Sequence, residues 1–256
     1  MNDITVRRPV EWVCASATDV GTVRTENEDA VLTRPEIGLW VVADGMGGHE
    51  AGSVASQMIV EALAEVNKPQ RISQFVNEIE NSIIDVNQRL LEYSEIMLDG
   101  RVIGSTFVGL LVYGQIGVCM WMGDSRLYVY RGGELKQLSR DHSHVNELLQ
   151  SGAISKTEAE THPDANVITR AVGTSEEPFL DIDIFPVRLG DVYLLCSDGL
   201  YNAVPGDDIS ASFGNDETDD IVKDLMGKAL TNGANDNVSI VAIKGKRKNL
   251  HDAGAD

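Results

Sequence analysis

The sequence predicts an α+β fold in which antiparallel sheets are covered by helices. Helical and strand-like patterns occupy separate blocks of the chain, without the regular strand–helix alternation that marks a parallel α/β protein. Two amphipathic helices lie together in the first half, and four short strands follow them. A length of 256 residues suits one large domain with a sizeable core.

Each block has its own periodicity. Residues 12–18 and 37–43 are predicted strands, and apolar residues recur at helical spacing across 54–66 and 72–90. The next segments predict four consecutive strands, at residues 106–113, 116–122, 126–131 and 134–138. The dipeptide Gly132-Gly133 is typical of a two-residue hairpin turn.

The second half contains shorter elements and a polar segment. We predict helices at 144–151 and 218–230, and strands at 181–186, 191–197 and 238–243. Residues 161–175 are polar and irregular, which indicates a flap. The chain has no internal repeat or linker. We therefore expect one catalytic domain over residues 12–244, an N-terminal extension at 1–11, and a disordered tail at 245–256.

The chain is strongly acidic. Forty Asp and Glu residues against 21 Lys and Arg give a formal net charge of −19. This balance argues against general nucleic-acid binding, because such a protein repels phosphate backbones, and it favours basic partners and divalent cations. A soluble acidic surface explains most of the surplus, so only a few acids need take part in chemistry.

Cysteine and hydropathy patterns indicate the compartment. Cys14, Cys119 and Cys196 lie in apolar runs without metal-binding spacing, which predicts buried free thiols and a reducing environment. Residues 1–12 lack the apolar stretch of a signal peptide, and glycines interrupt the longest apolar run, 107–122. We therefore expect a cytoplasmic protein that does not contact a membrane.

Acidic residues stand at the ends of predicted strands, often beside glycine. They are Glu28-Asp29, Asp44-Gly45, Asp124, Asp198-Gly199 and Asp236-Asn237. Each stretch alone is more typical of a turn. In VVADG and LLCSDG, however, an apolar run that should be buried ends on a carboxylate, and a buried acid must be paired or bind a cation. Carboxylate, carbonyl and water are the ligands that Mg²⁺ and Mn²⁺ prefer.

Eight motifs follow one another in an order that belongs to one enzyme family. They are Asp19-x-Gly21-x-x-Arg24-x-x-Asn27-Glu28-Asp29, Val42-Ala43-Asp44-Gly45-Met46-Gly47-Gly48-His49, Gly104-Ser105-Thr106, Gly123-Asp124-Ser125-Arg126, Asp141-His142-Ser143, His162-Pro163 with Ile168-Thr169-Arg170-Ala171-Val172-Gly173, Ser197-Asp198-Gly199-Leu200, and Asp236-Asn237-Val238-Ser239. The chain thus resembles the metal-dependent type 2C protein serine/threonine phosphatases and looks most like their bacterial branch. The resemblance covers nearly the whole chain, residues 12–243.

The resemblance implies a four-layer α-β-β-α sandwich, with two central antiparallel sheets flanked by helix pairs. It also implies two Mn²⁺ or Mg²⁺ ions and a third, weaker site. By the resemblance, Asp44 bridges both ions, the Gly45 carbonyl binds one of them, and Asp198 and Asp236 bind the other. Asp124 and Asp198 hold the third ion. Glu28, Asp29 and Asn237 support the ligands or act through metal-bound waters.

Other matched positions concern the substrate. Arg24 matches the arginine that grips the phosphate, although standing alone it would suit a surface ion pair. His162 and Arg170 match the flap. Animal members carry a histidine, proposed as the general acid, where this chain has Met46. Methionine cannot protonate a leaving oxygen, so the acid stays open between a metal-bound water and other groups such as the nearby His49.

The expected activity is hydrolysis of phosphoserine and phosphothreonine in proteins, by a water that two metal ions activate. The expected partners are phosphorylated proteins and an opposing bacterial serine/threonine kinase, and the expected state is a monomer. Two alternatives stay open: a catalytically silent regulator that binds phosphoproteins, and an acidic structural module that binds cations without using Arg24. The residues do not determine the physiological substrate.

Overall fold

Two antiparallel sheets stack face to face and helices cover their outer faces. The computed structural model describes residues 10–48, 51–159, 162–164, 167–214 and 217–247. In these ranges the strands are β1 (Val10–Asp19), β2 (Asp29–Arg34), β3 (Leu39–Met46), β4 (Gly104–Ser105), β5 (Phe107–Tyr113), β6 (Ile116–Met122), β7 (Arg126–Arg131), β8 (Glu134–Gln137), β9 (Asp181–Pro186), β10 (Val192–Cys196) and β11 (Val238–Arg247). The helices are α1 (Ala51–Ala64), α2 (Ile72–Met97), α3 (His144–Gln150), α4 (Lys156–Ala159), α5 (Asp198–Ala203), α6 (Gly206–Ser212) and α7 (Thr218–Thr231).

The strand order places the chain's first and last described strands side by side. One sheet has the order β1-β11-β10-β7-β8, and the other has β2-β3-β5-β6-β9 with β4 paired to β3. The paired strands are antiparallel throughout. This topology confirms the predicted α+β class and its central pair of sheets.

Three apolar clusters hold the layers together. Trp40, Tyr193 and their neighbours fill the space between the sheets. Helices α1 and α2 cover the outer face of one sheet with residues such as Ile59, and α5, α6 and α7 cover the other with residues such as Leu225. Because side chains alternate along a strand, β3 sends Trp40 to the partner sheet and the adjacent Val41 to the helices. The result is the four-layer sandwich.

The predicted hairpin between β7 and β8 is confirmed. Arg131 pairs with Glu134, and both intervening glycines have positive φ, 61° and 91°. Glycine adopts that conformation without the steric penalty of a side chain, which explains the dipeptide. The three cysteines are also free thiols, two of them buried and Cys14 half-buried.

Some elements differ from the sequence expectations. Strand β2 and the short helices α5 and α6 were not predicted. The β1–β11 ladder runs from Asp19 opposite Val238 to Val10 opposite Arg247, so strand pairing continues past both expected domain limits and takes in residues 245–247. The remainder of the expected tail, 248–256, and His49 lie outside the described residues. No helix in the described ranges is long and apolar enough to span a membrane.

Candidate active site

The acidic segments meet at one end of the sandwich because their strands begin or end there. Strand β2 begins at Asp29, which lies opposite Asp44 near the end of β3. Asp198 follows β10 by two positions, and Asp236 precedes β11 by two. Since β10 and β11 are antiparallel neighbours, these two segments share one sheet edge. The charges of Asp29, Asp198, Asp124 and Asp236 all act on Asp44, so the two edges face a common centre.

Two glycines allow the backbone to close around Glu28. A Cβ at Gly45 would lie 2.0 Å from the Gly52 carbonyl oxygen and 2.6 Å from that of Glu28. A Cβ at Gly52 would lie 2.7 Å from Glu28 Oε1. Neither position has room for a side chain, so the Gly45 peptide and the Glu28 carboxylate are held together at the end of β3.

Asn237 ties the loop before β2 to the start of β11. Its Oδ1 accepts from the backbone N–H of Glu28 at 2.8 Å. Its Nδ2 donates to the carbonyl oxygens of Val20 at 3.0 Å and Glu26 at 2.9 Å. The side chain is 5% exposed. Asn237 thus shapes the backbone around the carboxylates.

Hydroxyl groups hold the Asp44 backbone. The Asp44 N–H donates to Thr106 Oγ1 at 3.0 Å, and the Asp44 carbonyl accepts from the Thr106 N–H at 2.8 Å and from Ser105 Oγ at 2.9 Å. Ser197 Oγ donates to Asp29 Oδ2 at 2.7 Å. The motifs contain these residues, but their contacts depend on strand register, and sequence reasoning assigned them no role.

Several buried carboxylate oxygens have no hydrogen-bond partner. Across the described ranges, five buried side-chain polar atoms lack a partner, and four of them are Glu28 Oε1, Asp29 Oδ1, Asp124 Oδ1 and Asp198 Oδ1. The fifth is Trp40 Nε1, which lies between the sheets. An unpaired buried polar group costs about 1–3 kcal/mol, and a charged one costs more. A concentration of such groups at one end of the sandwich indicates oxygens that are available to a cation.

Burial and mutual repulsion raise the pKa values of the buried aspartates. Burial, opposed by serine hydrogen bonds, raises the pKa of Asp29 to about 6. Burial and the charge of Asp236 raise the pKa of Asp198 to about 6, and burial and the charge of Asp198 raise the pKa of Asp124 to about 7. Burial and neighbouring carboxylates raise the pKa of Asp44 well above its usual range. Bound positive charge acts in the opposite direction on each pKa.

Arg24 stands at the rim of the cluster. Its Nη2 lies 2.7 Å from Asp236 Oδ2, and its side chain is 53% exposed. The hydrogen bond and charge of Asp236 raise the pKa of Arg24, so the guanidinium stays charged. A cleft of about 240 Å³ opens beside it, lined by Arg24, Thr25, Glu26, Glu28 and Gly48. The ion pair with Asp236 therefore joins Arg24 to the carboxylate site, next to an open cleft.

Asp124 approaches the cluster from the turn between β6 and β7. Its side chain is 5% exposed. The Tyr201 hydroxyl lies 3.1 Å from the Asp124 carbonyl oxygen and 3.3 Å from Oδ2. Oδ1 is among the unpartnered oxygens.

The two predicted flap residues lie apart from the carboxylates. His162 Nδ1 accepts from the backbone N–H of Asp164 at 3.1 Å, and its ring lies 6.3 Å from that of His144. Arg170 lies 3.9 Å from Asp181 Oδ1 and 5.9 Å from the Phe179 ring. None of these recorded contacts is with a carboxylate of the cluster. A larger groove, of about 720 Å³, is lined on that side by residues including Trp121, Arg126, Asp141, Asp181 and Asp183.

The residues fit divalent cations by their chemistry. The cluster offers hard oxygen donors, which suit Mn²⁺ and Mg²⁺, and leaves buried oxygens unpaired. Among the described residues, no three or more His, Cys, Asp or Glu side chains are grouped so that they could hold one metal ion. The fit therefore rests on donor type and unpaired buried charge.

A four-layer sandwich whose sheets end in a buried carboxylate cluster beside an exposed guanidinium offers what a metal-dependent phosphatase needs, which is oxygen ligands for cations and a charged donor group for phosphate. Residues 22–236 match the family model described as protein phosphatase 2C. The chain belongs to this family.

Relatives from bacteria share the fold and most of the length. The chain is 35% identical to the serine/threonine phosphatase stp of Listeria welshimeri, over 93% of this chain and 97% of that protein. It is 40% identical to the solved structure of PppA, described as a key regulatory component of T6SS in Pseudomonas aeruginosa, with a TM-score of 0.84 over 92% of this chain and 98% of that one. The catalytic domain of the serine/threonine phosphatase PstP, solved with two manganese ions, is 33% identical with a TM-score of 0.81, over 93% and 99%.

Proposed function

We propose that the protein hydrolyses phosphoserine and phosphothreonine in phosphorylated proteins at the carboxylate end of the sandwich. The observation that carries this proposal is the set of buried, unpaired oxygens on Glu28, Asp29, Asp124 and Asp198. Carboxylates in that state are suited to cations, and the neighbouring guanidinium of Arg24 is suited to a phosphate dianion.

Asp44 is the carboxylate that would bridge two cations. It receives the repulsion of the four other aspartates, which supports a central position. The Gly45 carbonyl would serve one cation, and Asp198 and Asp236 would serve the other. The cations would be Mn²⁺ or Mg²⁺.

The remaining acids would act at the edges of this centre. Asp124 and Asp198 would share a third, weaker cation, and the charge of Asp198 on Asp124 supports their proximity. Glu28 and Asp29 would act through bound waters. Ser197 already occupies one oxygen of Asp29, which leaves the other for a water.

The two principal cations, when bound, would acidify a water, neutralise phosphoryl oxygens and align the water with phosphorus. The chain's own contribution is preorganisation. Strand pairing fixes Asp29 opposite Asp44, and the close approach at Gly45 and Gly52 excludes other side chains. Groups held in place before the reaction need little reorganisation when charge develops in the transition state.

Arg24 would hold the phosphoryl group. Its contact with Asp236 uses one terminal nitrogen and orients the guanidinium over the site. A guanidinium carries five N–H donors, so others are left to bind two phosphoryl oxygens as a fork. Met46 has no proton to give, so the leaving serine or threonine oxygen would take its proton from another donor, either a water at the site or a group nearby in the sequence such as His49.

The acidic surface supports a preference among substrates. A net charge of −19 favours phosphorylated segments that carry basic residues. The opposing enzyme would be a bacterial serine/threonine kinase. We also propose a monomer that acts in the cytoplasm.

The direct test is hydrolysis of phosphothreonine, phosphoserine and phosphotyrosine peptides with Mn²⁺ and with EDTA. The proposal predicts Mn²⁺-dependent release of phosphate from the first two peptides and none with EDTA. A protein that binds phosphopeptide with saturating Mn²⁺ but releases no phosphate would instead be a silent regulator.

A further inference from the structure

Asp124 differs from the other carboxylates in how it is held. Asp29 and Asp44 lie in paired strands, whereas Asp124 lies in the turn between β6 and β7. Its recorded side-chain hydrogen bond comes from Tyr201, whose hydroxyl is shared between the backbone oxygen and Oδ2 at 3.1 and 3.3 Å. The position of the unpaired Oδ1 therefore depends on Tyr201.

Tyr201 is placed by the same helix that carries Asp198. The two residues are three positions apart in α5, so their side chains lie on neighbouring parts of one helix face. Tyr201 thus spans from the helix of one site carboxylate to the turn of another.

The Tyr201 ring is held in turn by Arg126. The guanidinium carbon lies 3.4 Å from the ring centroid, which is a close cation–π contact. Arg126 begins β7, so one face of the ring rests against a group fixed by the sheet.

Asp141 clamps that guanidinium. Arg126 Nε lies 3.0 Å from both carboxylate oxygens of Asp141, and Nη2 lies 2.6 Å from Oδ2. Gln137 Nε2 donates to Asp141 Oδ1 at 2.8 Å, and Asn146 Nδ2 donates to the Asp141 carbonyl at 2.6 Å. A bidentate pair with these supports fixes orientation as well as charge.

We propose that Tyr201 is a positioning residue for Asp124, with Arg126 and Asp141 holding its ring, so that Asp124 Oδ1 is presented with Asp198 to a weakly bound divalent cation. The inference rests on the proposed function, which supplies the cation site, but it concerns residues outside the ligand set. It also connects α3, through Asn146 and Asp141, to the carboxylate cluster.

The test is a titration of the full chain with Mn²⁺, in wild type and in Tyr201→Phe. Electron paramagnetic resonance measures the concentration of free Mn²⁺ and hence the affinity of each site. We expect the variant to bind its weakest Mn²⁺ about tenfold less tightly, as is common when a group supporting a ligand is removed. The tighter ions should be unchanged. Tyr130→Phe is the matched control, because it removes a hydroxyl from β7 where the ring stacks on Phe213 at 4.8 Å, away from Asp124.

A double-mutant cycle separates positioning from general structural support. Asp124→Asn should weaken the binding of the weakest ion, and adding Tyr201→Phe to it should weaken that binding no further. Three outcomes would each overturn the inference. Tyr201→Phe could weaken the binding of every Mn²⁺ equally, it could weaken the weakest site further in the Asp124→Asn background, or it could bind Mn²⁺ as wild type does. Failure of the wild type to release phosphate at any Mn²⁺ concentration would instead count against the proposed function.

Discussion

The space between the sheets and the carboxylate end are built from the same strands but have opposite energetics. In β3, Trp40 and Val42 are fully buried between the sheets, and two residues later the strand reaches Asp44. A buried apolar side chain of this kind contributes about 1.5–3 kcal/mol to stability. The carboxylate end instead holds unpaired buried oxygens and acids with raised pKa values. The apolar core therefore offsets the cost of burying unpaired carboxylates at the end of the same strand.

The largest effect should come from removing a central carboxylate. Asp44→Ala or Asp198→Ala should lower Mn²⁺-dependent phosphate release about a thousandfold or more, because several kcal/mol of transition-state stabilisation are lost. Steady-state kinetics on a phosphothreonine peptide measures this. The same variants should not destabilise the metal-free protein. Wild-type turnover in either would contradict the assignment of the site.

A core substitution should have the converse pattern. Leu110 is fully buried between the sheets, so Leu110→Ala should lower the free energy of unfolding by about 2–5 kcal/mol. Denaturant unfolding with and without Mn²⁺ measures the loss. A bound cation does not fill a cavity in the core, so the loss of unfolding free energy should be similar with and without Mn²⁺. A loss that Mn²⁺ abolishes would contradict the separation of core stability from cation binding.

At the rim, Arg24→Lys tests geometry separately from charge. Lysine keeps the charge but not the fork, so kcat/KM should fall about ten- to a hundredfold, the equivalent of one charged hydrogen bond. Arg89→Lys, on the exposed face of α2, is the matched control and should behave as wild type. Unchanged kinetics in Arg24→Lys would mean that Arg24 is only a surface ion pair.

The pH dependence of stability should differ between metal-free and metal-bound protein. The folded-state pKa values of Asp29 and Asp198 are about 6 and that of Asp124 about 7, above the unfolded value of 3.8. The folded state therefore binds protons more tightly than the unfolded state, and this stabilisation, which is full below about pH 4, is lost as the pH rises to about 7. The Tm of EDTA-treated protein should fall over that range by a few °C.

Added Mn²⁺ should reverse that slope, because its ligands must be deprotonated and the Mn²⁺-dependent gain in Tm grows with pH. Thermal denaturation at pH 5.5 and 8, with and without Mn²⁺, checks both signs. A metal-free Tm that increases with pH over this range would contradict the raised pKa values.

The smallest expected effect concerns the substrate segment. A phosphothreonine peptide flanked by lysines should be hydrolysed a few-fold faster than one flanked by glutamates, and added salt should reduce the difference. Initial rates at low substrate concentration measure it. Equal rates that do not respond to salt would show that the acidic surface does not influence the choice of substrate.

Long periodic elements could be predicted from the sequence, and short ones could not. The helices α1 and α2 and the strands β5 to β8 carry clear periodicity or a glycine turn. Strand β2 has only six residues and begins at Asp29, the second residue of an acidic pair, and α5 begins at an Asp-Gly dipeptide that is typical of a turn. Such short segments take their structure from pairing and packing with distant parts of the chain, which a local pattern does not contain.

Within the site, the residue types were predictable but their supports were not. The order of the motifs predicted that the acids lie near Asp44, and the pairing of β2 with β3 places Asp29 opposite Asp44. The contact of Ser197 with Asp29 joins residues 168 positions apart, and that of Tyr201 with Asp124 joins residues 77 apart. These contacts arise only when two sheets and a helix meet, so no spacing in the sequence encodes them.

The most direct measurement is anomalous scattering at the manganese edge from crystals grown with Mn²⁺. The account predicts two strong peaks about 3.5–4 Å apart, both in contact with Asp44, with Asp198 and Asp236 on one of them. An absence of peaks among these carboxylates at saturating Mn²⁺ would contradict it.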